Sequence, residues 1–304
     1  MTTGTDTQIL RKLEEQQKKE GSLPQLLEFY QKLLRIQTRV GKRIDVPNLS
    51  FTDDDINARA EQGKPLIGFN DLALNWSLLR DVFVEVTAVF AEYPDLFGPI
   101  PKDLVETGAK RFPTKKVVKA WFGGARLPST IAVDDVNEYL LLEAIIQAAL
   151  RPFLISHCEA LLGFVKQEQW CRGYCPICGG NPDFAFLDKE RGARWLLCSR
   201  CDAEWLFRRL ECPYCGTQDQ GALAYFTDDE GLYRLYVCER CQHYLKAIDL
   251  RQAGSEVLLP LERFLTLDID IQAHKNGYSP CAKVGGGEGM KRQLGATLVA
   301  REES

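Results

Sequence analysis

The residues best suited to chemistry in this chain are eight cysteines that occur as four pairs, each with two residues between its members. They are Cys175, Cys178, Cys198, Cys201, Cys212, Cys215, Cys238 and Cys241. Two cysteines at this spacing can turn both sulfurs toward one ion, and two pairs supply the four thiolates of a tetrahedral site with metal–sulfur distances of about 2.3 Å. Zinc and a single iron ion both accept this ligand set. The sequence therefore predicts two four-cysteine metal sites.

The order of the pairs favours ligation within two successive units. The first unit would use Cys175, Cys178, Cys198 and Cys201, with 19 residues between its pairs, and the second would use Cys212, Cys215, Cys238 and Cys241, with 22. Both gaps are close to those of known paired-cysteine zinc sites. A crossed arrangement of the pairs remains an alternative at this point.

The residues that follow the pairs indicate tight turns. Gly179 and Gly216 directly follow the first pair of each unit, where a left-handed backbone lets amide hydrogens point back at sulfur. Asp202 and Gln242 follow the second pairs instead. We therefore expect the turns of the second pairs to be looser.

The text between the cysteine pairs is an internal repeat. Each unit reads as a cysteine turn, a β-hairpin with a charged tip, a second cysteine turn and a short third strand. The predicted strands cover residues 184–187, 194–197 and 204–208 in the first unit, and 223–226, 234–237 and 244–248 in the second.

The chain before the cysteines has helical periodicity. One predicted helix starts behind Pro24, and a second covers 72–93, with Asn70 or Asp71 as its cap. A third opens at Asp134 or Asp135 and is expected to kink or divide at Pro152.

The fold class predicted from these patterns is α+β, with a helical N-terminal domain followed by two tandem rubredoxin-like or zinc-ribbon β units. The expected domains are 1–168 (helical), 169–208 and 209–250 (the two four-cysteine units), and 251–304, which ends in a flexible Gly-rich tail at 285–289.

The charge of the chain argues against a nucleic-acid or membrane-surface partner. The net charge is −4, and residues 171–250 carry ten Lys/Arg against twelve Asp/Glu. Two divalent ions with four thiolates each would add about four further negative charges. The N-terminus lacks the pattern of a signal peptide, and the apolar stretch 139–155 is interrupted by charged residues, including Glu143 and Arg151. We expect a soluble, cytoplasmic protein without membrane insertion.

A site closed by four thiolates has no open position for a substrate, which favours a binding or assembly protein over an enzyme and predicts no catalytic residues. Cys171 with Cys175 and Cys178 matches the spacing of radical S-adenosylmethionine enzymes, but that interpretation leaves Cys198 and Cys201 without a role. Cys158 is expected to be a buried apolar cysteine, and Cys171 and Cys281 are expected to be incidental thiols. The three histidines, His157, His243 and His274, form no ligand set by spacing.

Three stretches carry a resemblance to a known family. The text CSRCDAEWLFRRLECPYC, the run CERCQHYLKAID and the closing LERFLTLDIDIQAHKNGY together resemble the formate dehydrogenase accessory protein FdhE family. Glu204 and Trp205 match the family's text between the sites, whereas Leu206 stands where some relatives are expected to have histidine. This departure weakens the idea that the loop performs chemistry.

The resemblance implies a cytoplasmic, chaperone-like assembly factor that binds the catalytic subunit of formate dehydrogenase before its export. It also implies rubredoxin-like iron at the eight paired cysteines, so iron is favoured over zinc. We expect the two metal ions to stabilise a platform for the client, with Asp268, Asp270 and Tyr278 as candidates for packing the C-terminal segment against it. The alternatives are a zinc-ribbon nucleic-acid-binding protein and a rubredoxin-like one-electron carrier.

Overall fold

The computed structural model of the chain describes residues 8–14, 24–45, 49–101, 104, 112–128, 136–254 and 257–281. The chain divides into two compact units. The first consists of Met1–Asn48 and Phe69–His157, and the second of Leu49–Gly68 and Cys158–Ser304.

The described residues are helical up to about residue 164 and form strands and short helices after it. Residues 8–14 are helical, and the labelled helices are α1 (Pro24–Gly41), α2 (Asp53–Gln62), α3 (Trp76–Ala91), α4 (Pro94–Phe97), α5 (Lys115–Phe122), α6 (Val136–Leu161), α7 (Leu259–Leu265) and α8 (Leu267–Lys275). The strands are β1 (Pro182–Leu187), β2 (Arg194–Cys198), β3 (Glu204–Leu206), β4 (Leu223–Thr227), β5 (Tyr233–Cys238), β6 (His243–Asp249) and β7 (Ser279–Pro280). The predicted α+β class, helical first and then β, is confirmed.

The first unit contains α1, α3, α4, α5 and most of α6. Helix α1 begins at Pro24, as predicted, and packs against α3. Phe29 of α1 is buried, and its ring centroid lies 4.8 Å from that of Phe90 and 4.5 Å from that of Phe97. These aromatic contacts fasten α1 to α3 and α4.

Helix α3 starts later than predicted. Its N-cap is Asn75, whose side-chain oxygen accepts a hydrogen bond from the amide of Leu78 at 3.1 Å. Residues Phe69–Asp71 form a short 3₁₀ turn instead, so Asn70 and Asp71 do not cap the helix. Several residues before Trp76 offered a plausible capping side chain, and periodicity alone does not choose among them.

Helix α6 continues through Pro152, so of the two predicted outcomes, a kink or a division, the division is wrong. Pro152 has no amide hydrogen, so the carbonyl of Ala148 loses its helical partner. Gln37 of α1 replaces that partner, because its side-chain amide donates to the Ala148 oxygen at 2.9 Å in a buried position. The predicted start of this helix at Asp134 or Asp135 lies outside the described residues.

Among the described residues, Val136–Phe164 is the one helical stretch long and apolar enough to cross a membrane. Its most apolar window is 61% buried inside the protein. This is the pattern of a core helix, whose apolar side chains face other parts of the protein.

The second unit is built on one seven-stranded sheet. The strand order is β3-β2-β1-β6-β5-β4, and β7 pairs with β6. The predicted hairpins are present as β1–β2 and β4–β5, and the predicted third strands are present as β3 and β6. The repeat therefore folds as its sequence pattern indicates.

The two repeats join in a way that the repeat itself does not reveal. Strand β1 of the first repeat pairs in parallel with β6 of the second, with Ala185 opposite Ala247 and Leu187 opposite Asp249. Ala185, Ala247 and Leu187 are fully buried there. The two predicted tandem units are thus halves of one sheet and share its core.

Helices α7 and α8 are fixed to the sheet by buried Lys246 of β6. Its ammonium group donates to the carbonyl oxygens of Arg263 at 2.8 Å and Thr266 at 3.2 Å, and to the Asp270 carboxylate at 2.6 Å. Tyr244 donates to the other oxygen of Asp270 at 2.7 Å. A buried ammonium group needs such partners to offset its lost hydration. Of the three residues expected to pack this segment, Asp270 holds it, Tyr278 bonds Glu239, and Asp268 is exposed.

Arg263 of α7 connects this helix to the first cysteine-rich repeat. Its guanidinium is buried and lies 3.0 Å from the carboxylate of Asp202 and 3.3 Å from that of Asp183. It also donates to the carbonyl oxygen of Cys198 at 3.2 Å. Arg263 therefore supports the turn that carries the second cysteine pair.

The unit boundary differs from the predicted boundary at residue 168. Residues 49–68 belong to the second unit, because the amides of Leu66 and Ile67 donate to the carbonyls of Pro176 and Ile177 at 2.8 and 3.0 Å. The chain leaves the helical unit, contacts the first cysteine turn and returns. The predicted flexible tail at 285–289 lies outside the described residues.

We expect Gln37→Leu to lower the free energy of unfolding by about 1–3 kcal/mol, because the buried Ala148 carbonyl loses its hydrogen bond. Gln31→Leu on the same helix is the matched control, since Gln31 is buried and its Nε2 has no hydrogen-bond partner among the described residues. Denaturant unfolding measures both. Equal effects of the two substitutions would contradict the role of Gln37 at Pro152.

We expect Arg263→Met to destabilise the protein by about 3 kcal/mol, because it leaves the Asp202 and Asp183 carboxylates without their buried cation. Arg251→Met is the control and should destabilise the protein less, because Arg251 is partly exposed. Its partner Asp249 also keeps a second ion pair, with Arg234 at 2.7 Å. A loss no larger than that of the control in chemical denaturation would contradict this role for Arg263.

Candidate metal centres

The eight paired cysteines form two groups of four, one in each repeat. The sulfurs of Cys175, Cys178, Cys198 and Cys201 lie within 4.8 Å of one another, and so do those of Cys212, Cys215, Cys238 and Cys241. The grouping follows the order within units and excludes the crossed arrangement for this structure. We call the groups site 1 and site 2.

The sulfur separations fit a tetrahedral ion. In site 1 the sulfurs of Cys175 and Cys201 are 3.6 Å apart and those of Cys178 and Cys198 are 3.5 Å apart. In site 2 the two corresponding distances are both 3.7 Å. A tetrahedron with bonds of about 2.3 Å has edges of about 3.8 Å, whereas a disulfide bond is about 2.05 Å long. All eight are free thiols arranged as metal ligands would be.

One backbone turn occurs four times around these sulfurs. In each pair, the residue after the second cysteine donates its amide to the carbonyl of the first cysteine. The distances are 3.0 Å for Gly179, 3.3 Å for Asp202, 2.9 Å for Gly216 and 2.8 Å for Gln242. The same four residues are left-handed, with φ of 70°, 56°, 70° and 57°. The repeated turn is what directs each pair of sulfurs toward a common centre.

The expectation of looser turns at Asp202 and Gln242 was wrong. Both residues take the left-handed conformation although they carry a side chain, at a cost of about 1–2 kcal/mol each. Side-chain contacts support both residues. Asp202 forms its ion pair with Arg263, and the side-chain amide of Gln242 donates to the carbonyl of Glu239 at 2.7 Å. These tertiary contacts offset the cost of a left-handed backbone, which glycine adopts without strain.

Backbone amides also point at the sulfurs. In site 1, the amides of Ile177 and Cys178 approach the Cys175 sulfur at 3.4 and 3.5 Å, and the amide of Arg200 approaches Cys198 at 3.4 Å. Such bonds stabilise negative charge on a thiolate. They favour the ligand form of the cysteines.

The electrostatics of site 1 suit a bound cation. Burial raises the pKa of the Cys175 and Cys201 thiols far above the usual value, and a hydrogen bond with Cys158 raises the pKa of Cys201 further. Hydrogen bonds from Cys175, Cys198 and Cys201 lower the pKa of Cys178. Burial therefore disfavours the charged form of Cys175 and Cys201, whereas the neighbouring thiols favour it at Cys178. Four thiolates in this space need a positive ion at their centre.

Site 2 shows the same division of charge among its thiols. A hydrogen bond with Cys241 lowers the pKa of Cys212 to about 5, while burial raises the pKa of Cys238. The four soft donors of each site suit zinc or iron and satisfy a tetrahedral ion completely.

The two sites differ in enclosure. All four cysteines of site 1 are buried, and Pro65 of the segment 49–68 covers its first turn, against Gly179. The Tyr174 hydroxyl donates to the carbonyl of Gly63 at 2.8 Å and holds that cover in place. In site 2, Cys215 is exposed and Cys241 is partly exposed. Solvent and reagents thus reach site 2 more easily than site 1.

Buried Arg194 lies beside site 2 and was not singled out from the sequence. Its guanidinium carbon is 5.3 Å from the ring centroid of Phe207 and 5.4 Å from that of Tyr236. Burial lowers the pKa of Arg194 to about 10, while a thiolate at Cys212 acts in the opposite direction. A positive group here offsets negative charge on site 2. No local pattern around Arg194 indicates this role, because its neighbours come from distant strands.

The remaining cysteines lie outside both groups. Cys158 is buried as predicted, but it also contacts Cys201 of site 1. Cys171 is exposed and does not join Cys175 and Cys178, so the three-cysteine interpretation finds no support. The sulfur of Cys281 accepts a hydrogen bond from Asn181 at 3.3 Å.

The histidines, likewise, belong to neither group of ligands. His157 is buried and contacts the Phe153 carbonyl at 2.8 Å, and His274 packs edge-on against Tyr244. A hydrogen bond with Cys212 and burial raise the pKa of Cys241, and a hydrogen bond with the backbone of His243 acts in the opposite direction. His243 therefore supports site 2 through its main chain.

The text between the sites is structural. Trp205 of β3 is fully buried, and its indole donates to the carbonyl of Arg172 at 2.9 Å. Burial raises the pKa of the neighbouring Glu204, and the charge of Asp202 adds to the shift. Leu206 takes part in the pairing of β3 with β2.

Comparison with known proteins shows which proteins this chain resembles. The model of the FdhE central domain matches residues 174–209, which include site 1. An FdhE homologue from Aquifex aeolicus is 27% identical over 264 residues, covering 84% of this chain and 85% of the relative. One from Shewanella oneidensis is 32% identical over 107 residues, covering 34% of this chain and 35% of the relative.

A solved structure agrees with the fold. The crystal structure of the FdhE protein from Pseudomonas aeruginosa aligns with a TM-score of 0.56 at 21% identity, covering 93% of this chain and 95% of that one. The likeness extends beyond site 1 to both units. The family model, the relatives and the solved structure agree that this chain is similar to the FdhE proteins in sequence and in fold.

Proposed function

We propose that this protein is a cytoplasmic accessory factor that assists the assembly of formate dehydrogenase by binding its catalytic subunit. Similarity to the FdhE proteins supports the accessory role, because the relatives are named as FdhE proteins. The observation that carries the mode of action is the pair of closed four-sulfur groups, which leave no position where a substrate could be activated. The protein acts by binding its client.

The metal ions would hold the binding platform together. Site 1 would be held by Cys175, Cys178, Cys198 and Cys201, and site 2 by Cys212, Cys215, Cys238 and Cys241. When bound, iron or zinc supplies a tetrahedral crosslink, and iron can in addition change its charge by one electron. The resemblance to the family favours iron. The chain's own part is to fix the turns and to support both sites with Arg263 and Arg194.

The platform is a rigid sheet with two helices on one face. Lys246 and Arg263 fasten α7 and α8 to β6 and to the first repeat, and both side chains are buried. A platform ordered before binding loses little conformational freedom when the client docks. This rigidity is a physical reason for an assembly factor to contain two structural metal sites.

A one-electron carrier is the second candidate, and one observation favours it. Cys215 of site 2 is exposed, so an iron ion there would lie at the protein surface, close to an electron-transfer partner. Reversible reduction of bound iron, together with a kinetic partner, would support this function. A chain that binds only zinc when produced with ample iron would exclude it.

We expect two metal ions per chain, and we expect a chelator to remove them at two different rates. Site 2 should lose its ion first, because Cys215 is exposed whereas site 1 is enclosed. The measurement is elemental analysis and an absorption spectrum on anaerobically purified protein, followed by a chelator time course. Thiolate-bound ferric iron is coloured and zinc is not.

Cysteine variants assign the two phases. Cys215→Ala should remove the fast phase and leave one ion per chain, whereas the control Cys171→Ala, at an exposed cysteine outside both groups, should keep two. A single release rate in the unsubstituted protein would contradict the difference in enclosure. Metal-free protein that is fully folded would contradict metal binding itself.

We expect the purified protein to retain the catalytic subunit of formate dehydrogenase in a pull-down, and we expect Cys178→Ala and Cys215→Ala each to abolish retention. Loss of either site disorders turns that support the shared sheet. Cys171→Ala should retain the subunit as the unsubstituted chain does. Retention by both metal-site variants would show that the platform does not depend on metal, and no retention by the unsubstituted chain would refute the accessory role.

A further inference from the structure

The two edge strands of the sheet, β3 and β4, differ in whether another part of the chain covers their outward backbone groups. At the β3 edge, the side chain of Gln167 pairs with the strand, accepting from the amide of Leu206 at 3.0 Å and donating to the carbonyl of Glu204 at 3.5 Å. This contact covers the polar groups of a short edge strand. Strand β4 lies at the opposite edge, and it carries no such cover among the residues that the structure describes.

The register of β4 shows which of its backbone groups face outward. Phe226 pairs with Leu235 and Thr227 with Arg234, and the amide of the following residue, Asp228, donates to Tyr233 in β5. Hydrogen-bonded residues alternate along an antiparallel pair. The amide and carbonyl groups of Tyr225 and Thr227 therefore point away from β5, where an added strand would pair with them.

Two aromatic side chains stand on this edge. Tyr225 is 54% exposed and Phe226 is 58% exposed, on opposite faces of β4. The Tyr225 ring is held in position by Arg234, whose guanidinium carbon is 5.1 Å from the ring centroid, and by Tyr236, whose ring centroid is 5.7 Å away. An added strand would thus meet a preformed aromatic surface on each of its faces.

Strand β4 lacks the features that usually block an edge. It contains no lysine and no proline, and its pairing with β5 is continuous over five residue pairs without a bulge. Exposed aromatic residues on such an edge are typical of strand-addition surfaces.

The acidic charge around β4 indicates which kind of segment could pair with this edge. Residues 217–231 contain Asp219, Asp228, Asp229 and Glu230 and no lysine or arginine. A second copy of this chain pairing edge to edge would bring two such acidic stretches together, which like-charge repulsion disfavours. A segment that carries lysine or arginine is attracted instead.

We propose that the free edge of β4 binds an extended, positively charged segment of the client protein as an additional strand. The segment pairs with the outward amide and carbonyl groups of Tyr225 and Thr227, contacts Tyr225 on one face and Phe226 on the other, and places its basic side chains at the acidic turn after β4. The identity of the client as the formate dehydrogenase catalytic subunit rests on the proposed function.

The test is the affinity of the purified protein for the purified catalytic subunit, measured by biolayer interferometry. Thr227→Pro removes an outward amide without touching the bonds to β5, a position where edge strands accept proline. We expect it to weaken binding by about tenfold, because both the hydrogen bond and the close approach of the added strand are lost. Thr227→Ala keeps the amide and should bind as the unsubstituted protein does.

A charge variant tests the same surface without changing the backbone. Asp229→Asn combined with Glu230→Gln should weaken binding severalfold at low salt and reduce its salt dependence. Metal content and thermal unfolding verify that each variant is folded, and this second variant decides the matter if proline disturbs the strand.

The outcomes separate the two proposals. If the unsubstituted protein does not bind the subunit, the proposed function fails and this proposal fails with it. If the protein binds the subunit and both the proline and the charge variants bind equally well, only strand addition at β4 is overturned. A dimer of the chain alone that Thr227→Pro dissociates would identify a second copy as the occupant and would also overturn the proposal.

Discussion

The structure of the second unit depends on holding four cysteine sulfurs close together, twice, in a space that disfavours charge. Burial raises the pKa of Cys175 and Cys201 and so disfavours negative charge on both thiols. The repeated left-handed turn, the amides directed at sulfur and the cover formed by residues 49–68 all serve this requirement. They fix the sulfurs and keep water away.

The same requirement explains why charged side chains are buried near the sites. Arg263 holds the turn of the second cysteine pair through Asp202 and the Cys198 carbonyl, and Arg194 places positive charge beside Cys212. A buried guanidinium is costly unless it is partnered, and here the partners are carboxylates, carbonyl oxygens, aromatic rings and the metal ligands themselves. Metal binding and the packing of the C-terminal helices are therefore coupled.

The parallel pairing of β1 with β6 joins the two cysteine-rich repeats into one sheet with two dissimilar edges. Gln167 covers one edge, whereas in the described part of the chain the other edge has no such cover and lies beside exposed aromatic residues and acidic charge. A small rigid sheet with one available edge is suited to holding an extended segment of another protein. This is consistent with a protein that works by binding.

The sequence by itself determined the features that depend on neighbours in the chain. Contacts within a few residues or within one repeat suffice to group the cysteine sulfurs, to form the hairpins between them and to start the helix at Pro24. It failed where contacts are distant: Gln37 satisfies the carbonyl freed by Pro152, and Arg263 supports the left-handed Asp202.

Only the tertiary structure decided how the two repeats join, which edge is covered and which metal site is enclosed. Tyr174 and Gly63, which fasten the cover of site 1, are 111 residues apart. No periodicity or spacing encodes such a pair, because the contact forms only after both segments have folded and found the same buried surface.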